Sequence, residues 1–191
     1  MNSADFLPDV EKCLEVLHVG GIILYPTDTV WGLGCDATND EAVEKLYRLK
    51  KRAPGKSMVV LVADRQAILQ HVTQLDLQVF DYLKAVTRPT TVVYEGPIGI
   101  AQNIISDDGT VAIRLINEPF CKHLIKRFRR PIVSTSANLP GQPTPRLFCE
   151  IADAIKEGVD YVVKYRQDDM NIRLPSSIVK WNKDGSITNI R

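Results

Sequence analysis

Apolar residues follow two rhythms along this chain. Over residues 5–19 they recur at helical spacing, with Val10, Leu14 and Leu17 on one side, and Gly20-Gly21 supplies a stop. Residues 22–25 then form an unbroken apolar run, the pattern of a buried strand. Helical spacing returns after Thr38, where Thr38 and Glu41 make a capping box and Val43, Leu46 and Tyr47 give a buried side. Pro54-Gly55 closes that helix and leaves Lys50 and Arg52 at its end. Residues 58–63 predict a second strand, Asp64 caps a helix to about residue 72, and a further helix spans 75–86. Strands are predicted at 91–94, 110–115 and 131–135, with a helix carrying Phe120, Leu124, Ile125 and Phe128 between the last two. A proline-rich loop at 138–145 leads to a helix over 146–156 and a strand at 161–164. The end reads as a hairpin, 177–181 and 186–190 about an Asn182-Lys183-Asp184-Gly185 turn. Interleaved strands and helices predict an α/β protein. The hairpin demands antiparallel pairing, so the expected architecture is an open, twisted, mixed sheet with flanking helices. No repeat or long linker interrupts the pattern, and one domain over residues 1–191 is expected, with no additional C-terminal domain.

Composition narrows the class without naming a chemistry. The fractions of 45% hydrophobic and 25% charged residues are ordinary for a globular protein. No apolar run reaches the length of a membrane span, and the acidic start lacks the pattern of a signal peptide, so a cytoplasmic location away from membranes is expected. Cys13, Cys35, Cys121 and Cys149 are widely spaced, as are His18, His71 and His123, so no protein-held metal is expected. Net charge is only +1, yet Lys45, Arg48, Lys50, Lys51, Arg52 and Lys56 form one basic run and Lys122, His123, Lys126, Arg127, Arg129 and Arg130 another. Two readings stand: solvated helix faces, or an anion site where the runs meet.

Two motifs mislead. Gly32-Leu33-Gly34-Cys35-Asp36-Ala37 fits a dinucleotide fingerprint, but that motif needs its helix to begin inside the glycines, and here the cap follows them. Gly55-Lys56-Ser57 suggests a P-loop, but Lys50 replaces the first glycine and helix precedes strand. No nucleophile elbow or HExxH pattern is present, and Asp107-Asp108 before Gly109 reads as a turn.

What remains is a repeated ending: apolar strands that finish in small hydroxyls or an arginine. These are Tyr25-Pro26-Thr27-Asp28-Thr29, Thr110 to Arg114, Ile132-Val133-Ser134-Thr135-Ser136-Ala137-Asn138, and Leu174-Pro175-Ser176-Ser177. Ligands of open α/β sheets collect beyond strand ends, so these groups converge on one crevice if the sheet brings them together.

Five blocks now resemble the YrdC-like family of threonylcarbamoyl-AMP synthases. Residues 20–33 are similar to its opening signature, Lys50-Lys51-Arg52 to its K-x-R element, and Ser136-Ala137-Asn138 to its S-x-N element. Residues 110–114 and 175–179 resemble two further blocks, in the family's order, and the likeness runs from about residue 12 to Arg191. The resemblance implies an open α/β fold around a large, positively charged cavity. It also implies a nucleotidyltransferase that joins L-threonine, bicarbonate and ATP into threonylcarbamoyl-AMP, releasing pyrophosphate. A separate transferase machinery then modifies tRNA. Magnesium is expected to ride on the nucleotide, with no tightly bound cofactor. By position, Lys50, Arg52, Ser136 and Asn138 form the catalytic ATP site, with Lys56, Thr110, Thr144 and Arg191 contributing. Thr27, Thr29, Arg114, Ser134 and Ser176 surround threonine, Arg114 clamping its carboxylate. The chain departs from the family at Trp31, usually tyrosine, at Leu61, often histidine, and at residues 87–91. The rival reading is a paralogue that binds tRNA, double-stranded RNA or a nucleotide through the same cavity without making the adenylate. Residues 166–173, polar and between strands, are the candidate cover for the intermediate.

Overall fold

Helix α1 (Leu7–His18) buries Val10, Cys13, Leu14 and Leu17, the stripe that the spacing predicts, and Gly20 ends it with φ at 72°. Only glycine enters that left-handed region without strain, and the turn then returns the Gly21 amide to Val16 O at 2.9 Å. The computed structural model describes residues 6–52, 58–182 and 184–191. Among these, the chain continues through β1 (Ile23–Tyr25), β2 (Gly32–Gly34), α2 (Asp40–Leu49), β3 (Val59–Val62), α3 (Arg65–His71), α4 (Val79–Ala85) and β4 (Thr90–Glu95). It ends with β5 (Thr110–Leu115), α5 (Pro119–Phe128), β6 (Ile132–Ser136), α6 (Asp153–Glu157), β7 (Tyr161–Val162), β8 (Ser177–Trp181) and β9 (Ile187–Asn189).

The strands form one sheet in the order β7-β1-β2-β6-β3-β5-β4-β8-β9. The pairs β1–β7, β3–β5 and β4–β8 are parallel; β1–β2, β2–β6, β3–β6, β4–β5 and the closing β8–β9 hairpin are antiparallel. The sheet is mixed, as the hairpin demanded. Helices α1 and α5 pack on each other, α1 against β1 and β7, and α5 and α3 against β3. Val60, Val62, Ile113 and Val133 are all buried, alternating with the residues that build the site on the other face. Burying each such aliphatic side chain stabilises the fold by about 1.5–3 kcal/mol.

Four boundaries differ from the sequence reading. The α2 cap is Asn39, whose side chain accepts from the Ala42 amide; Thr38 instead donates its hydroxyl to Asp36 Oδ1 at 2.7 Å. Buried Asp36, paired to Arg130 at 2.8 Å, outcompetes the helix for that hydroxyl. β2 was not foreseen, since two glycines in three residues read as loop. It forms because Gly34 has Tyr25 and β6 so close that an added Cβ would meet the ring at 2.6 Å. The predicted 146–156 helix is a 3-10 turn (Phe148–Glu150) and then α6, and the predicted 75–86 helix shortens to α4. The Asp107-Asp108 turn is present, Asp108 accepting from the Thr110 amide and hydroxyl.

Candidate functional site

Strand register assembles the site. Ile132, Leu61, Arg114, Thr91 and Ile178 stand opposite one another across β6, β3, β5, β4 and β8, and the neighbouring row sets Ser134 beside Val59. Gly32 pairs with Ser136 at the same edge, and a Cβ on Gly32 would meet Ser134 Oγ at 2.9 Å. Absence of that carbon leaves the space for a hollow of about 270 Å³. Thr29, Arg52, Arg114, Ser134, Ser136, Thr144, Ser176 and Arg191 all line it, with Val30, Trp31, Met58, Val59 and Ile178 as apolar wall. Residues from distant parts of the chain therefore meet on one face.

Among the described residues, the lining holds three arginines and no acidic side chain. Arg114 is the deepest, at 4% exposed. One of its terminal nitrogens stands 3.1 Å from Asp28 Oδ1, and its Nε has no hydrogen-bond partner. Asp28 is held above the usual carboxylate range by burial, against the pull of Arg114. A buried donor without an acceptor costs about 1–3 kcal/mol, so Arg114 is prepared for an oxygen from outside the chain. Ser134 and Ser176 flank it; the Ser176 hydroxyl lies 3.0 Å from that of Thr91, and the Ser176 carbonyl accepts from Arg191 at 3.3 Å. Arg191 is fixed by backbone bonds to Ile178 in both directions.

The K-x-R element divides its two cations. Lys51 adopts φ of 49°, and across that turn Arg52 enters the hollow while Lys50 runs beneath it. The buried Lys50 ammonium donates to Ser136 O at 2.6 Å, to Asn138 O, and to Asn138 Oδ1 at 3.2 Å. The Ser136 hydroxyl donates to the same Asn138 Oδ1 at 2.6 Å. Lys50 and Asn138 thus shape the S-x-N loop from behind, and neither lines the hollow. Burial, and then the Arg52 charge, bring Lys50 down to about 8.

Three other expected residues stand apart. Thr27 is buried, donates to Val30 O at 2.7 Å and accepts from the Thr29 amide at 3.0 Å, which makes it the frame of the loop and not its face. Thr110 begins β5, and its hydroxyl donates to Asp108 at 2.6 Å. Lys56 lies outside the described residues.

Known proteins share this fold. A family model described as "Telomere recombination", spanning the Sua5, YciO and YrdC proteins, matches residues 15–191. The chain belongs to this family. A threonylcarbamoyl-AMP synthase of Saccharophagus degradans is 37% identical over 144 residues, 74% of this chain and 74% of that protein. P. abyssi Sua5 complexed with L-threonine superposes with TM-score 0.83 at 20% identity over 95% of this chain; this chain spans 53% of its length. E. coli YciO superposes with TM-score 0.82 at 22% identity, covering 96% of this chain and 88% of its own. At those identities the structures carry the fold, an open mixed α/β sheet with flanking helices.

In this Sua5/YciO/YrdC chain the departures take definite places. Trp31 is 5% exposed, forms a wall of the hollow and packs on Phe148 with ring centroids 4.8 Å apart. Leu61 is fully buried beside Arg114. The expected cover at 166–173 is braced within itself, where Arg166 and Arg173 both pair with Asp169 at 3.0 and 2.8 Å, and is tied to the body by Arg166, which meets Glu118 at 3.5 Å and donates to Thr27 O at 3.1 Å. Burial raises the Asp169 carboxyl, but hydrogen bonds from the Asn171 amide, Arg173, the Asn171 side chain and Arg166 outweigh it and hold it well below the carboxylate range. Sequence reasoning missed Met58, Val59 and Ile178 as wall residues. Strand alternation from Leu61 and Ser176 would have found Val59 and Ile178, since period two puts them on the same side; Met58, just before β3 and out of that phase, carries no such signal.

Proposed function

We propose that this protein makes threonylcarbamoyl-AMP from L-threonine, bicarbonate and ATP, releasing pyrophosphate. The observation that carries this reading is a hollow lined, among the described residues, by three arginines and no acidic side chain, whose buried Arg114 keeps an unpartnered Nε. It suits a triphosphate beside a small zwitterion, and the family relatives bear the matching name. Arg114 takes the threonine carboxylate, and Thr29, Ser134 and Ser176 offer hydroxyls around the amino acid. Thr27 frames that wall. Arg52 and Arg191 neutralise phosphate charge, Ser136 and Thr144 donate to the nucleotide, and Lys50 and Asn138 act through the Ser136 loop. Lys56 and Thr110 join the nucleotide side by their sequence positions.

The reaction needs placement more than nucleophiles. The threonine amine attacks bicarbonate and loses water, giving a carbamate. A carbamate oxygen then forms a bond to the α-phosphorus as the bond to the β-phosphate oxygen breaks. Arginines facing the phosphates stabilise the charge that develops there, and holding two anions together removes most of the encounter entropy. Magnesium arriving with ATP would be held by phosphate oxygens and water, since the described lining offers it no acidic side chain. The product passes to a transferase that acts on tRNA. The test is pyrophosphate release with all three substrates and with each omitted. Release only from the complete set supports the reading; release without threonine, or none at all, overturns it.

A further inference from the structure

The loop that presents Thr29 is held from behind by a residue that does not line the hollow. Arg166 is 9% exposed, and its guanidinium reaches four ways: Nη1 donates to Thr27 O at 3.1 Å and stands 3.5 Å from Glu118, and Nε donates to Asp169 at 3.0 Å, with Asp28 within its field. Its backbone is left-handed, with φ of 66°, a conformation a long side chain holds only when its surroundings impose it. Glu118 is itself fixed, capping α5 through the Cys121 amide at 2.7 Å. The stretch is also tied through Asp28, which pairs with Arg114 at 3.1 Å and accepts from the Asn117 backbone, and through the weak contact of Cys121 Sγ with Pro26 O at 3.2 Å. Arg166 is the charged anchor at the Thr27 carbonyl of the Thr27-Asp28-Thr29 wall.

We infer that Arg166 is a positioning residue for the amino-acid subsite: by holding the Thr27 carbonyl it sets Thr29 at the hollow and keeps Asp28 against Arg114. The inference rests on the threonine reading above for its choice of ligand, but not for its geometry. A planar fork is required, because one nitrogen must serve Thr27 and Glu118 while another serves Asp169.

The test compares Arg166→Gln, Arg166→Lys and Arg173→Gln, the last removing another Asp169 partner that leaves Thr27 alone. All are placed in a Trp181→Phe background, where Trp31, two residues beyond Thr29, is the sole tryptophan. Expected are a shift of Trp31 emission in Arg166→Gln, threonine affinity roughly tenfold weaker in calorimetry, ATP affinity within about twofold, and partial recovery in Arg166→Lys. Arg173→Gln should leave threonine affinity within about twofold. Equal losses for threonine and ATP, an unchanged Trp31 spectrum, or an equal effect of Arg173→Gln would each overturn the role. If the unmutated protein binds ATP but not threonine, the proposed reaction falls, and Trp31 emission still decides whether Arg166 anchors the loop.

Discussion

The Thr27-Asp28-Thr29 loop divides two hollows. On the Thr29 side is the 270 Å³ site; on the Asp28 side is a cavity of about 860 Å³ lined by Arg65, Arg88, Lys122, Lys126, Arg166 and Arg173. The larger cavity has twice the cations, but Asp28, Asp64, Glu118 and Asp169 share its lining. Three of those acids are paired: Asp28 with Arg114, Glu118 with Arg166, and Asp169 with Arg166 and Arg173. The smaller hollow has fewer cations and no acid among the described residues. Volume and count favour the larger cavity; a lining without acidic side chains among the described residues and an unsatisfied buried donor favour the smaller. Arg114 meets Asp28 through one terminal nitrogen but keeps its Nε for an oxygen from outside the chain, and anion recognition draws on that open donor.

The largest effect should come from Arg114→Ala, which should weaken threonine roughly 100-fold, as expected for two charge-assisted hydrogen bonds, while ATP loses far less. It also strands Asp28 without its cation, so thermal unfolding should come at lower temperature. Equal losses for both ligands in calorimetry would erase the contrast between the two sides of the loop. Arg52→Ala should invert the pattern, costing ATP roughly tenfold or more with little change for threonine. Gly32→Ala places a Cβ 2.9 Å from Ser134 Oγ, so threonine affinity should fall several-fold in a protein that still folds. The paired change Lys122→Gln with Lys126→Gln, in the larger cavity, should alter neither affinity by more than about twofold; a large loss of ATP binding would move the nucleotide across the loop.

The subtlest prediction concerns protons. Lys50 sits at about 8, below the 10.5 of ordinary lysine, because it is buried and beside Arg52. The penalty for its charge is thus present below about 8 and is relieved as pH rises from there, so this residue makes the free protein more stable toward high pH. A triphosphate brought to Arg52 offsets the repulsion and raises Lys50 again. At roughly pH 8–9 ATP binding should therefore take up a fraction of a proton, measured by calorimetry in buffers of different ionisation heat, and Lys50→Met should abolish the uptake.

The S-x-N residues stood out in the sequence as a strand end rich in hydroxyls, and the K-x-R residues, at the end of a helix, through a basic run and the family resemblance. The division of labour within them did not. Lys50 and Arg52 are two residues apart and chemically alike, and only the left-handed Lys51 sends one under the loop and the other into the hollow. Thr38 shows the same limit: its cap pattern was correct by local rule, and a buried Asp36 from outside the helix took the hydroxyl.

By itself the sequence determined the strands of alternating or continuous apolar residues, the helical stripes, the closing hairpin and therefore the mixed sheet, since these follow from periods of 2 and 3.6 that each segment carries locally. Its motif blocks also determined the family. Only the tertiary structure decided that β2 is a strand, that the Nε of Arg114 stays open, and that Arg166 rather than a loose cover stands behind Thr27. Those outcomes depend on which charge meets which across tens of residues, and electrostatic pairing at 3 Å is fixed by register and packing, about which the local pattern is silent.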